Sequence, residues 1–165
     1  MAIQQKISPN LWFDHKAEEA VKFYTGIFKN SSTGKITRYG KEGFETHKMA
    51  EGKVLTIEFF IEGQRFIALN AGPEFKFTEA ISFIIDCANQ EEIDFYWDKL
   101  SDGGNENDQV CGWLKDKFGV SWQIVPPVLG EMLTDKDKAK AGRVMQAMMG
   151  MKKLIIADLK KAYNG

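Results

Sequence analysis

Fragments of this sequence return at an offset of 72 residues: Asp14 as Asp86, Glu19 as Glu91, and Phe23-Tyr24 as Phe95-Tyr96. Leu11, Phe13, Val21 and Phe28 are answered in character by Phe83, Ile85, Ile93 and Leu100. The matches keep one frame, a strand followed by an amphipathic helix, and predict two copies of a β-α-β-β-β unit. One helix for four strands covers only one face of its sheet. The expected fold is therefore α+β. It has two βαβββ modules at residues 1–73 and 74–127, and a helical extension at 128–165.

The first module reads as a strand over 7–13 and a helix from a cap at Asp14 to about Phe28. Ala17, Ala20, Val21, Tyr24 and Phe28 make the apolar stripe of that helix. A weaker strand over 35–39 and a polar, glycine-punctuated loop over 41–52 follow. Strands over 54–61 and 64–70 are joined at Glu62-Gly63, a hairpin signal. The second module reads as a strand over 80–87 and a helix to about Leu100, with Asn89 and Glu92 as a capping box. Strands over 109–114 and 120–125 complete it before Pro126-Pro127. In the extension, Thr134 with Asp137 resembles another capping box, and Ala141, Met145, Met148 and Met149 form one stripe.

Composition removes several function classes. Lys and Arg number 22 and Asp and Glu 23, a balance that gives no phosphate-neutralising surface and no nucleic-acid partner. No apolar run is long enough to span a bilayer, and the N-terminus has no basic and apolar leader. A cytoplasmic protein without a membrane partner is expected. Cys87 and Cys111 form no C-x-x-C pair, and His15 and His47 have no metal-ligand spacing. No phosphate-binding or nucleophile-elbow motif occurs.

Alternation along the strands sorts two faces. One collects Leu55, Ile57, Phe59, Ile61, Ile67, Leu69, Ile81, Phe83, Ile85, Val120, Trp122 and Ile124, and should meet the helices. The other collects Ser8, Asn10, Trp12, Thr56, Glu58, Phe60, Phe66, Ala68, Asn70, Ala80, Ser82, Ile84, Ser121 and Gln123. This mixture is either a solvated sheet face or the lining of a cup for a small, partly apolar molecule. The candidate pocket residues are Asn10, Trp12, Glu58, Phe60, Ala68, Asn70, Ser82, Trp113 and Gln123. Trp12 and Trp113 either stack an aromatic ligand or simply pack. Asn70 either orients a ligand carbonyl or serves the turn into Gly72-Pro73. Glu58, beside Phe60, is either a general base with a raised pKa or a solvated strand glutamate.

The segments Phe13-Asp14, Glu18-Glu19-Ala20, Phe23-Tyr24, Val54-Leu55-Thr56-Ile57-Glu58-Phe59 and Ala68-Leu69-Asn70-Ala71-Gly72-Pro73 carry a resemblance. Ala80-Ile81-Ser82-Phe83, Cys111-Gly112-Trp113-Leu114-Lys115-Asp116 and Gly119-Val120-Ser121-Trp122-Gln123-Ile124 extend it, as does the tail from Arg143 to Leu154. The chain resembles the vicinal oxygen chelate superfamily of glyoxalase I, extradiol dioxygenases and bleomycin-resistance proteins. Within it, the chain is similar to the PhnB-like branch, which carries the domain name 3-demethylubiquinone-9 3-methyltransferase. The resemblance implies paired βαβββ modules forming a cup-shaped mixed sheet. It also implies a lyase, oxygenase or methyltransferase activity, or simple binding.

The superfamily's metal enzymes use four inward side chains on the first and fourth strands of each module. The nearest positions here are Ser8, Ala68, Ala80 and Gln123, none of them a carboxylate or imidazole. No metal and no cofactor are therefore expected, although His47 remains a donor that could swing in from its loop or come from a second chain. The scattered glycines do not make the turn that S-adenosylmethionine needs. Three readings stand: a metal-free small-molecule-binding protein, an enzyme working through Glu58, and a metal-dependent lyase or dioxygenase. Open sheet edges and the methionine stripe predict a homodimer.

Overall fold

A computed structural model describes residues 5–165; residues 1–4, on which the reading of the N-terminus partly rests, lie outside the described residues. The chain divides into two compact units, Met1–Lys76 and Phe77–Gly165. Among the described residues no helix is long and apolar enough to cross a membrane.

The first unit runs β1 (Asn10–Asp14), α1 (Ala17–Ile27), β2 (Ser31–Arg38), α2 (Phe44–His47), β3 (Val54–Ile61) and β4 (Gln64–Ala71). Its sheet has the order β1-β4-β3-β2, with β1 parallel to β4 and the other pairs antiparallel. β2 is longer than the alternation suggests, because pairing with β3 holds it from Ser31 opposite Ile61 to Arg38 opposite Val54. A short helix, α2, interrupts the expected loop.

α1 lies on one sheet face. It buries Ala17, Ala20, Val21, Tyr24 and Ile27, and Tyr24 stacks on Phe59 with ring centres 6.1 Å apart. Phe59 in turn stacks on Phe66 at 5.2 Å. Asp14 does not cap this helix: it ends β1, His15 turns through a positive φ of 55°, and Lys16 at the N-cap makes no side-chain cap bond. The cap comes from β4, where Asn70 Oδ1 accepts the Ala17 N–H at 3.2 Å.

The face assigned to β4 from alternation is inverted. The Glu62-Gly63 turn has positive φ at both residues, 48° and 78°, as a two-residue hairpin turn requires. It sets Ile61 opposite Gln64, and therefore Phe59 opposite Phe66 and Ile57 opposite Ala68. Directly paired residues point to the same side, so Phe66, Ala68 and Asn70 lie under α1 and are buried. Ile67 and Leu69 share the open face with Glu58 and Thr56.

The second unit runs β5 (Phe83–Asp86), α3 (Gln90–Ser101), a 3-10 turn (Glu106–Asp108), β6 (Trp113–Lys115), β7 (Ser121–Val125), α4 (Pro127–Leu133), α5 (Lys138–Met149) and α6 (Ile156–Asn164). Its sheet has the order β5-β7-β6, with β5 parallel to β7 and β6 antiparallel. The order repeats β1-β4-β3 and lacks a counterpart of β2, so this module carries three strands where four were expected. Its place in the chain is a polar, glycine-rich stretch that closes onto β6: a Cβ on Gly104 would lie 2.4 Å from the Lys115 carbonyl oxygen.

α3 starts as expected. Asn89 Oδ1 accepts the Glu92 N–H at 2.9 Å, and Glu92 Oε2 accepts the Ala88 N–H at 2.7 Å. Its Ile93, Trp97 and Leu100 are buried, as are Leu114, Trp122 and Ile124 of the sheet. The last three helices share a core of Leu129, Met132, Val144, Leu154 and Leu159. Asp137 caps α5 alone, while Thr134 ends α4 and donates back to the Gly130 carbonyl at 2.8 Å. Met148 packs against this core, and Met145 and Met149 are exposed, so the methionines do not form one stripe.

Candidate functional site

In each unit the helix covers one sheet face, and the other face is the candidate site. In the first unit the open face is read in cross-strand rows. Trp12 of β1, Leu69 of β4, Thr56 of β3 and Thr37 of β2 form one row. Asn10, Ile67 and Glu58 form the next. Arg65 and Phe60, paired on β4 and β3, follow at the end of the strands. Two tethers fix the Trp12 indole: its Nε1–H donates to the Gly72 carbonyl at 2.8 Å, and Phe75 meets it edge-on at 4.8 Å. Thr37 and Thr56 share a hydroxyl hydrogen bond of 2.6 Å.

Glu58 is not a poised base. Arg65 Nε donates to its Oε1 at 2.5 Å, and the Lys35 backbone N–H donates to its Oε2 at 3.3 Å. The bond from Arg65 first, then that from Lys35, holds its carboxyl below the usual carboxylate range, against a smaller upward push from burial. Of the two readings of Glu58, the direction of this shift runs against a raised pKa beside Phe60. Glu58 remains ionised at neutral pH, and whatever the pair contributes to stability is lost as pH falls through the lowered value. The carboxylate sits over a bulge of β2: a Cβ on Gly34 would stand 2.5 Å from Glu58 Oε2, so a larger residue there would have to displace the carboxylate.

On the open face of the second unit, Ile84, Gln123 and Trp113 form one row across β5, β7 and β6. Gln123 Nε2 donates to Ser82 Oγ at 2.9 Å, and Ile84 is 60% exposed. Ser121, two residues before Gln123, is buried, and its hydroxyl has no hydrogen-bond partner among the described residues.

Of the candidate residues, Asn10, Trp12, Glu58 and Phe60 share the first unit's open face, and Ser82, Trp113 and Gln123 come together in the second unit. Ala68 and Asn70 belong to neither: Ala68 is fully buried beneath α1. Asn70 caps α1, donates through Nδ2 to the Val54 carbonyl at 3.1 Å, and accepts the Tyr39 hydroxyl on its own carbonyl at 2.8 Å. Arg65, Ile67 and Leu69 were missed, although counting back from the Glu62-Gly63 turn finds all three.

The register also tests the metal positions. At the 72-residue offset Trp12 corresponds to Ile84, so their strand partners Leu69 and Gln123 are equivalent. Leu69 therefore replaces Ala68 in the quartet, and a hydrocarbon, an alanine, a serine and an amide do not make a divalent-cation site. Among the described residues no three His, Cys, Asp or Glu side chains gather as ligands. His47 is engaged within its own loop. Its Nδ1 accepts the Met49 N–H at 2.9 Å, which makes Nε2 the donor to the Glu42 carbonyl at 3.0 Å, and the ring rests against Tyr39. Cys87 is equally committed: burial, chiefly, pushes its thiol up to about 12.

The sequence profile of the family described as 3-demethylubiquinone-9 3-methyltransferase matches residues 5–125. The chain belongs to this family. The PhnB protein from Bacillus cereus is 37% identical, over 74% of this chain and 99% of that one, with a TM-score of 0.63. A protein from Pseudomonas aeruginosa is 17% identical, over 73% of this chain and 96% of that one, with a TM-score of 0.55, and shows the fold alone. No curated protein matches. The PhnB-like family read from the motifs is thus the chain's family.

The family's description implies S-adenosylmethionine, and the residues here do not fit it. The strand-to-helix turns before α1 and α3 read Asp14-His15-Lys16 and Asp86-Cys87-Ala88-Asn89, without glycine, and both sheets are mixed rather than doubly wound.

Proposed function

We propose that this PhnB-like protein binds a small, partly apolar or aromatic molecule on its open sheet faces, without a metal ion. The open face of the first unit carries the reading: a tethered indole, Ile67, Leu69 and Phe60 surround a single ion pair, the composition of a ligand site rather than of a solvated sheet. A metal-independent ligand raises the melting midpoint by mass action, equally in buffer and in EDTA. The test is a thermal-shift screen of metabolites and aromatic compounds in both conditions. Hits that vanish in EDTA contradict the reading.

A second copy of the chain is the proposed cover for the exposed apolar side chains of α5, Met145 and Met149, the latter 62% exposed. A homodimer is expected by light scattering at micromolar concentration. Met145→Glu with Met149→Glu should turn it into a monomer, because the charges would enter an apolar contact. A monomer for the unmodified chain contradicts the dimer.

A further inference from the structure

Arg65 gives the first unit's open face a charge preference. Its side chain is 38% exposed and held at two points, Nε on Glu58 Oε1 at 2.5 Å and Nη1 on Ser8 Oγ at 3.2 Å. Its Nη2 group makes no hydrogen bond to a described residue and keeps two N–H donors. Glu58, by contrast, has both oxygens engaged, by Arg65 and by the Lys35 N–H. The Lys35 ammonium also acts on Glu58. Two cations to one carboxylate leave this corner with an excess positive charge, and Nη2 adds donors to it. From Arg65 the same face of β4 continues through Ile67 to Leu69, next to Trp12. Four residues of strand span about 13 Å, room for a two-ring aromatic body and one acidic group.

Resting on the binding reading above, we infer that the ligand of this face is an aromatic monocarboxylate. Its ring lies along Ile67 and Leu69 toward the Trp12 indole, and its carboxylate is received by Arg65 Nη2. Glu58 is a positioning residue: it holds the guanidinium through Nε while Ser8 holds Nη1, which leaves Nη2 for the ligand. A cationic ligand meets the positive charge of Arg65 and Lys35 at this corner. A neutral one still accepts a hydrogen bond from the guanidinium but forgoes the ion pair with it.

The test is calorimetric titration with 2-naphthoate and its neutral analogue 2-naphthamide, on the unmodified protein and on Arg65→Gln. Naphthoate should bind at least about tenfold more tightly than naphthamide, and Arg65→Gln should erase that difference. Should Arg65→Gln fail to fold, salt serves instead: raising ionic strength should weaken naphthoate and not naphthamide. Equal affinity for the two compounds overturns the carboxylate assignment while leaving small-molecule binding in place. A preference that survives in Arg65→Gln, or is insensitive to salt, overturns the role of Arg65. Binding of neither compound overturns this inference, and the wider screen in EDTA then decides the binding reading separately.

Discussion

Asp116→Ala is expected to cost about 3 kcal/mol or more, a fall of roughly 10 °C in melting midpoint for a chain of this size. Asp116 is 3% exposed and starts the turn between β6 and β7. Its Oδ1 accepts the N–H groups of Phe118 at 2.9 Å and Val120 at 3.0 Å, and its Oδ2 accepts the Trp122 indole N–H at 2.9 Å. Removing the carboxylate strands three donors, and those of Val120 and Trp122 are buried. Each orphaned buried donor costs about 1–3 kcal/mol. Asp116→Asn should fall between the two, since one acceptor oxygen remains. Urea denaturation followed by tryptophan fluorescence measures both, and a loss below about 1 kcal/mol for the alanine variant contradicts this account.

Leu154→Ala is expected to cost about 3 kcal/mol, within the range of about 2–5 for a buried leucine. The family match ends at residue 125, and α4 to α6 lie beyond it. They are nonetheless fastened to the second unit's sheet and to α3. Gln90 donates through Nε2 to the Leu154 carbonyl at 3.1 Å and accepts the Ile156 N–H on Oε1 at 2.8 Å. Lys153 pairs with Asp94 at 2.9 Å, and the N–H groups of Cys111 and Gly112 donate to the Met151 and Lys152 carbonyls. The Leu154 side chain fills the space over Gly112, where a Cβ would meet its Cδ1 at 3.0 Å. Truncating it opens a cavity at the junction, so β6 and β7 amides should lose hydrogen-exchange protection together with those of α5 and α6. Loss of protection in the helices alone would mean a separate appendage.

The architecture was legible because repeats and periodicity are properties of the sequence itself. The offset between Asp14 and Asp86 revealed the modules, and Asn89 with Glu92 marked the start of α3. Long-range pairing was harder. α1 takes its cap from Asn70, 53 residues from Ala17, and no local pattern announces it. The face of β4 was readable and was misread: Ile67 and Leu69 look more like core than Ala68 and Asn70, but the Glu62-Gly63 turn outranks hydrophobicity by fixing register. The same count would have found Arg65 opposite Phe60, and with it the cation that pairs with Glu58. The missing fourth strand of the second module was legible too: only the patterns over 80–87, 109–114 and 120–125 read as strands there, and the glycines at 103 and 104 fall where a fourth would lie.

The most direct test of the central claim is methyl NMR on the protein in EDTA, titrated with a ligand from the thermal-shift screen. Ile67 and Leu69 point to the open face of the first unit, while Ile57 and Ile61 on the neighbouring strand point toward α1. The account predicts saturable shifts at Ile67, Leu69 and the Trp12 indole N–H, with Ile57 and Ile61 unmoved. Shifts confined to the groove between α5 and α6, lined by Arg143, Asp158 and Lys161, or binding that disappears with the metal, would contradict it.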